Sequence, residues 1–287
     1  MADNVRVEIR RRDGSVITCE VVGDARAAPV LFCHGLADSR LSARTFTQVA
    51  TELGLRIVAP DRPGTGRTAP RHLPRVVDWV QDATLIMDAL GIDTAALIGT
   101  SGGGPFAAAC AAQLTGRVSQ LTLISALGAP TWPTGGMAAG ERVSLRAARR
   151  VPGFGGWFLG RLAALARISP ELFLRVATSE LPGIDRHALG QPAIRDPFLA
   201  SYVEAFRQGS RGVGQDLRVL TQPWGFELGS IQAPALVCHG DADLTVPLQH
   251  ARLFAAAIPG ARLQIYPGHG HFSIFDAVRD ILAPLAG

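Results

Sequence analysis

The sequence predicts an α/β protein in which a mostly parallel sheet is flanked by helices and an all-helical segment is inserted late in the chain. Three observations carry this expectation. Short, continuous apolar runs recur, PVLFC, RIVAP, AALIGT, LTLIS and PALVC, and unbroken apolarity marks strands covered on both faces. Segments of helical length separate the earlier runs, as crossovers between parallel strands require. Between Leu127 and about Asp216 the rhythm of strands stops, and helix-like stretches interrupted by Pro and Gly replace it.

The elements follow in order. VRVEIRRRDGSVITCEVV reads as two strands around Asp13-Gly14, a hairpin-type turn pair. The apolar runs then end in Gly, Asp or Ser. After AALIGT comes GGGPFAAACAAQL, an Ala-rich helix with Pro105 in its first turn, where the missing N–H costs nothing. Helix-like stretches in the insertion are ERVSLRAARR, GWFLGRLAALAR, PELFLRVATSE and DPFLASYVEAFRQG. PALVC follows, then a helix near residues 247 to 258 and a last strand, RLQIY. The expected organisation is a core of residues 1–127 and 216–287 with a helical cap, 128–215, between the sixth and seventh strands.

With 287 residues, 47% hydrophobic and 18% charged, the chain buries a full core and is too apolar for disorder. All 28 basic residues counted as Lys+Arg are arginine, and Ala and Gly are abundant, a pattern of genome composition rather than a nucleic-acid footprint. The excess positive charge is local: residues 130–215 hold 11 Arg against 6 acidic residues, the remainder 17 against 18. The N-terminus places charges where a signal peptide needs an apolar centre, and no stretch of membrane-spanning length is free of charges and helix breakers. A cytoplasmic protein with no membrane insertion and no nucleic-acid partner is expected. Cys19, Cys33, Cys110 and Cys238 are far apart and form no CxxC, so buried free thiols are expected. Cys33-His34 and Cys238-His239 are neighbours on strands and point to opposite faces, so neither pair suits one metal ion. No metal or cofactor is implied.

Open sheets of this class bind ligands beyond the carboxyl ends of their strands. There, Gly99-Thr100-Ser101-Gly102-Gly103 fits G-x-S-x-G between a strand and a helix. The turn is so tight that side chains two residues before and after the serine would strike the neighbouring strand and helix, and glycine removes the collision. The hydroxyl is left at the tip, beside a helix N-terminus that favours negative charge. A dinucleotide-binding turn fits worse, because GTSGGG lies deep in the chain and Ser125 stands where the acidic residue of that fingerprint would be.

A serine is a poor nucleophile without a base and an acid that orients the base. In this arrangement both come later in the chain, acid first. Asp241 and Asp243 follow PALVCHG, and His269 and His271 follow RLQIYPG. His34-Gly35 follows PVLFC, and the glycine lets that loop fold close to the serine. The N–H groups of Leu36 and Gly102 then supply an oxyanion hole, each donor worth about 3 kcal/mol in such sites. His34 is read as a structural loop residue.

These residues resemble the α/β-hydrolase family over nearly the whole chain outside the insertion. The stretches that carry the likeness are HGLADS, DRPGTGRT, GTSGG, HGDADLTVP and PGHGHF. The resemblance implies a mostly parallel eight-stranded sheet, the α/β-hydrolase fold, with the insertion as a lid. It matches Ser101 to the nucleophile, Asp243 to the acid, His271 to the base, and Leu36 and Gly102 to the oxyanion donors. Serine at the elbow argues against the epoxide-hydrolase and dehalogenase branches, which place aspartate there.

The expected function is a serine hydrolase acting on an ester or related acyl bond of a small hydrophobic substrate, through an acyl-enzyme. The same triad serves amide, thioester, lactone and carbon–carbon cleavage or peracid formation on this fold, and a lyase or a cofactor-free oxygenase is a remoter variant. From a different class, a non-catalytic small-molecule-binding protein would keep the pocket, although it has no use for an intact Ser, His and Asp set. The insertion's aromatic residues, Trp132, Phe154, Trp157, Phe158, Phe173, Phe198, Tyr202 and Phe206, are expected to form pocket wall. Arg142, Arg146, Arg149 and Arg150 either receive an anionic group or form a solvated face.

Overall fold

In the computed structural model, which describes residues 4–151 and 153–286, eight strands form one sheet in the order β1-β2-β4-β3-β5-β6-β7-β8. The strands are β1 (Val5–Arg10), β2 (Val16–Val22), β3 (Ala28–Cys33), β4 (Leu55–Pro60), β5 (Ala95–Thr100), β6 (Val118–Ile124), β7 (Ala235–Gly240) and β8 (Arg262–Tyr266). The β1–β2 hairpin and the β2–β4 pairing are antiparallel, and every later pairing is parallel. Burial explains the apolar runs: all six residues of β5 and all six of β7 are buried, while the edge strand β8 is mostly exposed.

Helices cover both faces. Alternate β5 residues point to opposite sides, Leu97 into one apolar cluster and Ala96 and Ile98 into the other. The Leu97 side is closed by α2 (Val80–Ala89), α3 (Gly104–Gln113) and α10 (Leu248–Ala257), through Trp79, Ile86, Phe106 and Phe254. The other side is closed by α1 (Thr47–Glu52) and α11 (Val278–Leu282), through Ala50, Phe46 and Ile281.

Between β6 and β7 lie α4 (Ala139–Arg150), α5 (Phe154–Ile168), α6 (Pro170–Ala177), α7 (Gly183–Ala188), α8 (Pro192–Ala205) and α9 (Arg211–Leu220). Besides α7, which the sequence expectation does not include, two differ from it for identifiable reasons. α8 starts at Pro192 and carries Pro197 inside it, where one backbone hydrogen bond is forfeited. α9 runs through residue 215, the expected cap boundary, and its glycines serve close packing: a Cβ on Gly212 would lie 2.2 Å from the Gly64 carbonyl oxygen.

The order of strands sets the position of the site. β3 lies between β4 and β5, so the chain leaves β3 to one side and later returns on the other. Loops diverge at the carboxyl ends of β3 and β5 and leave a crevice between them.

Candidate active site

Ser101 sits in that crevice, between β5 and α3, at φ +52°. This left-handed conformation is strained for a residue with a Cβ and persists only where the surroundings impose it. The glycines show how they impose it. A Cβ on Gly99 would lie 2.8 Å from the Ala107 Cβ on α3, and one on Gly103 would lie 2.0 Å from the Cys33 carbonyl oxygen at the end of β3. Strand and helix therefore close on the turn, and the serine side chain is directed outward.

β7 and β8 are parallel neighbours with Gly240 opposite Tyr266, so the loops after them leave the sheet together. His271 Nδ1 donates to Asp243 Oδ2 at 2.8 Å, and Asp243 Oδ1 accepts from the amides of Thr245 and Val246, both at 2.8 Å. His239 lies beneath: its Nε2 donates to the Val246 carbonyl at 2.9 Å and is 3.5 Å from Asp243 Oδ2. The two alternatives are engaged elsewhere. Asp241 is exposed and accepts from the Gly268 amide at 2.7 Å, and His269 Nδ1 bonds to the Pro267 carbonyl at 3.0 Å.

Burial alone would lower the His271 pKa and raise that of Asp243, yet their mutual attraction dominates. His271 is held above the ordinary histidine value, and Asp243 below the ordinary carboxylate value.

The loop after β3 packs against the serine. A Cβ on Gly35 would stand 3.5 Å from the Ser101 Cβ, and one on Gly102 would stand 2.9 Å from the Leu36 nitrogen, so the two candidate oxyanion donors are side by side. Arg62 shapes this loop, a role with no sequence signal beyond its place in DRPGTGRT. Its guanidinium is buried over the Phe106 ring, donates to the carbonyls of His34 at 2.6 Å and Gly35 at 2.7 Å, and pairs with Asp216 of α9 at 2.7 Å. His34 is buried, with Nδ1 bonded to the Gly35 carbonyl at 2.9 Å. Burial, reinforced by the Arg62 charge, holds its pKa well below the usual histidine value, so it is neutral.

Ser101, His271 and Leu36 line one cavity of about 110 Å³ whose other walls include Phe32, Phe46, Ile124, Ile194, Phe198 and Phe272. Among the described residues of the aromatic set expected to form pocket wall, only Phe198 reaches it. Phe173, Tyr202 and Phe206 form a core within the cap, Trp157 is largely exposed, and the Phe154 side chain lies outside the described residues. Trp132 instead packs on Phe254 and lines a second cavity of about 440 Å³ together with Leu127, Leu145, Leu220, His250 and the arginines 142, 146 and 149.

The loop after β8 also receives a residue that the sequence did not signal. Asp185, in the short helix α7, is fully buried against residues 271–273. Among the described residues there is no cluster of three or more His, Cys, Asp or Glu able to hold a metal ion, and no helix long and apolar enough to cross a membrane.

Residues 28–278 match the family described as alpha/beta hydrolase fold. A non-heme haloperoxidase from Rhodococcus erythropolis is 27% identical over 269 residues, covering 90% of this chain and 90% of that protein. A 2-hydroxymuconate semialdehyde hydrolase from Pseudomonas putida is 27% identical, covering 85% and 81% respectively. Among solved structures, an esterase from a Rhodococcus species superposes with a TM-score of 0.68 at 22% identity, covering 96% of this chain and 95% of that one.

Proposed function

The chain belongs to the α/β-hydrolase family, and from that membership and the geometry of the crevice we propose that it hydrolyses an ester or related acyl bond of a small hydrophobic substrate through a Ser101–His271–Asp243 triad. One observation carries the reading: a serine held at a strained strand-to-helix turn lines the same cavity as a histidine whose other ring nitrogen is bonded to a buried carboxylate.

The chemistry follows from the atoms. Asp243 accepts a hydrogen bond from the Nδ1–H of His271, which holds the neutral ring in the tautomer whose Nε2 is unprotonated and able to take the Ser101 proton. Oγ then attacks the acyl carbon, and the developing oxyanion is stabilised by the amides of Leu36 and Gly102. Collapse of the tetrahedral intermediate breaks the bond to the leaving group, which takes the proton from His271. Water, deprotonated by the same imidazole, hydrolyses the acyl-enzyme and restores Ser101. A cavity of about 110 Å³ with apolar walls supports a short acyl chain.

A fluorophosphonate label followed by peptide mapping tests the nucleophile, with capture at Ser101 expected. Folded protein that remains unlabelled overturns the hydrolase reading in favour of a non-catalytic small-molecule-binding protein. The relatives bear names of different chemistries, so a screen of acyl length and leaving group includes thioesters, lactones and peracid formation beside simple esters. Fastest turnover on short-chain esters is the expected outcome.

A further inference from the structure

We propose that Asp185, a carboxylate of the cap, is the positioning residue of the catalytic histidine loop, so that the cap is a working part of the active site rather than only a cover. The inference rests on the assignment of His271 as the base, and its main readouts require no turnover.

Asp185 is 0% exposed. Its Oδ2 accepts the His271 amide at 2.8 Å; its Oδ1 accepts the amides of Phe272 and Ser273, both at 2.9 Å, and the Ser273 hydroxyl at 3.0 Å. Three consecutive backbone N–H groups thus converge on one carboxylate, as they do in loops that bind anions. Among the described residues Asp185 has no ion-pair partner. A buried carboxylate without a cation depends on its hydrogen bonds, and here all of them come from the histidine loop. The loop is shaped in return: a Cβ on Gly270 would stand 2.3 Å from Asp185 Oδ2, so the residue before His271 has room for no side chain.

The contact is sealed from water. Leu181, Ala188, Leu189 and Ile194 of the cap form a small apolar cluster against Phe272 and Phe275 of the core, and Phe198 packs edge-on to Phe272 at 5.2 Å. Swinging α7 away would expose this cluster and break four hydrogen bonds at once.

Two consequences follow for His271. Its backbone is pinned on one side by Asp185 while its ring is pinned on the other by Asp243, which fixes the direction of Nε2. It also faces three carboxylates, Asp243 after β7, Asp185 on α7 and Glu141 on α4, and lies near His239 on β7, whose pKa burial holds below the ordinary histidine value. The carboxylates favour the imidazolium that forms during proton transfer; Asp185 and Glu141 lie outside the triad, and of these two Asp185 also holds the backbone of the histidine loop.

Histidine-resolved NMR titration of Asp185→Asn against wild type tests the proposal, with His271 assigned by its loss in His271→Gln. Expected are a His271 pKa lower by about one unit and a fluorophosphonate labelling rate at Ser101 lower by about tenfold or more. Asp185→Glu keeps the charge but adds a methylene where Gly270 leaves no space, so labelling is expected to fall there as well. An Asp185→Asn protein with native fold, unchanged His271 titration and unchanged labelling overturns the proposal. Hydrogen exchange on wild-type protein decides the matter where the variants fail to fold. The amides of residues 271–273 should be protected to the same degree as α7, and exchange at the rate of an open loop overturns the proposal equally. Normal titration and exchange effects without any labelling would instead count against Ser101 as nucleophile.

Discussion

Nδ1 of His271 and Oδ2 of Asp243 meet at 2.8 Å, on a carboxylate whose other oxygen is already held by two backbone amides. Because Asp243 is held below and His271 above its ordinary value, the imidazole proposed as base is expected to be protonated at mildly acid pH. The expected kcat/KM profile on a neutral ester rises with pH through an apparent pKa above about 6.5. Stability runs in the opposite sense. The raised histidine pKa contributes stability that is fully present below the unfolded value and is lost as pH rises through the folded one. The depressed Asp243 pKa contributes stability present above the ordinary carboxylate value and lost as pH falls through the folded one. Asp243→Asn should lower kcat by about 10³–10⁴-fold and move the acid limb of the profile down. An unshifted limb in that variant would separate His271 from the pH dependence.

Ser101 carries strain in the service of its direction. Ser101→Gly removes both the hydroxyl and the Cβ that φ +52° disfavours, so the variant should be more stable by about 1 kcal/mol and inactive. Ser101→Ala removes only the hydroxyl and should be inactive with a Tm near that of wild type. Thermal melts of the two variants against wild type check the difference, and equal melting of all three would mean that the turn stores no strain.

Arg62 joins three parts that are distant in sequence: the His34 and Gly35 carbonyls of the loop after β3, Asp216 of α9, and the Phe106 ring. Arg62→Met leaves Asp216 buried without a partner, and a loss of about 3–5 kcal/mol is expected. The double variant Arg62→Met/Asp216→Leu removes both charges and should recover most of that stability. It should not recover activity, because the guanidinium's hydrogen bonds to the His34 and Gly35 carbonyls are lost. Denaturant melts combined with ester turnover test this, and recovery of activity in the double variant would show the loop to be ordered without the guanidinium.

These relationships also mark how far the sequence can be read. The parallel strands were legible because each is covered on both faces, as the fully buried β5 and β7 show. The elbow was legible because its glycines answer to contacts within one strand–turn–helix unit, at Gly99 and Gly103. Asp243 and Asp241 were equivalent by position alone, and so were His271 and His269; family spacing favoured Asp243 and His271, and the register of β7 on β8 pairs those two in space. Arg62, beyond its place in DRPGTGRT, and Asp185 gave no signal because their partners are backbone groups or side chains distant in sequence, Phe106 and Asp216 for Arg62 and residues 271–273 for Asp185. The short α7 and the glycine-bearing α9 were missed because their stability comes from tertiary packing rather than from helical propensity. The aromatic residues of the cap were legible as apolar but not as facing one another: the Phe173 and Tyr202 rings are 4.7 Å apart inside the cap.

The arginines of α4 supply the last prediction. Arg142, Arg146 and Arg149 stand at helical spacing on one face, line the cavity of about 440 Å³ beside Leu127 and Leu220, and share it with no carboxylate among the described residues. That cavity is close to Ser101 and Gly102, since the Leu127 amide bonds to the Ser101 carbonyl at 2.9 Å and Leu220 lies within 3.2 Å of where a Gly102 Cβ would be. An ester whose leaving group carries a carboxylate should therefore react faster than its neutral isostere, by about tenfold at low salt. The advantage should shrink as ionic strength rises and vanish in Arg142→Gln/Arg146→Gln/Arg149→Gln, with the neutral ester unaffected by either change. The salt series and the variant answer separate questions. The first shows whether charge matters at all, and the second whether these three side chains provide it; equal rates for both esters at every salt concentration would make the arginines a solvated helix face.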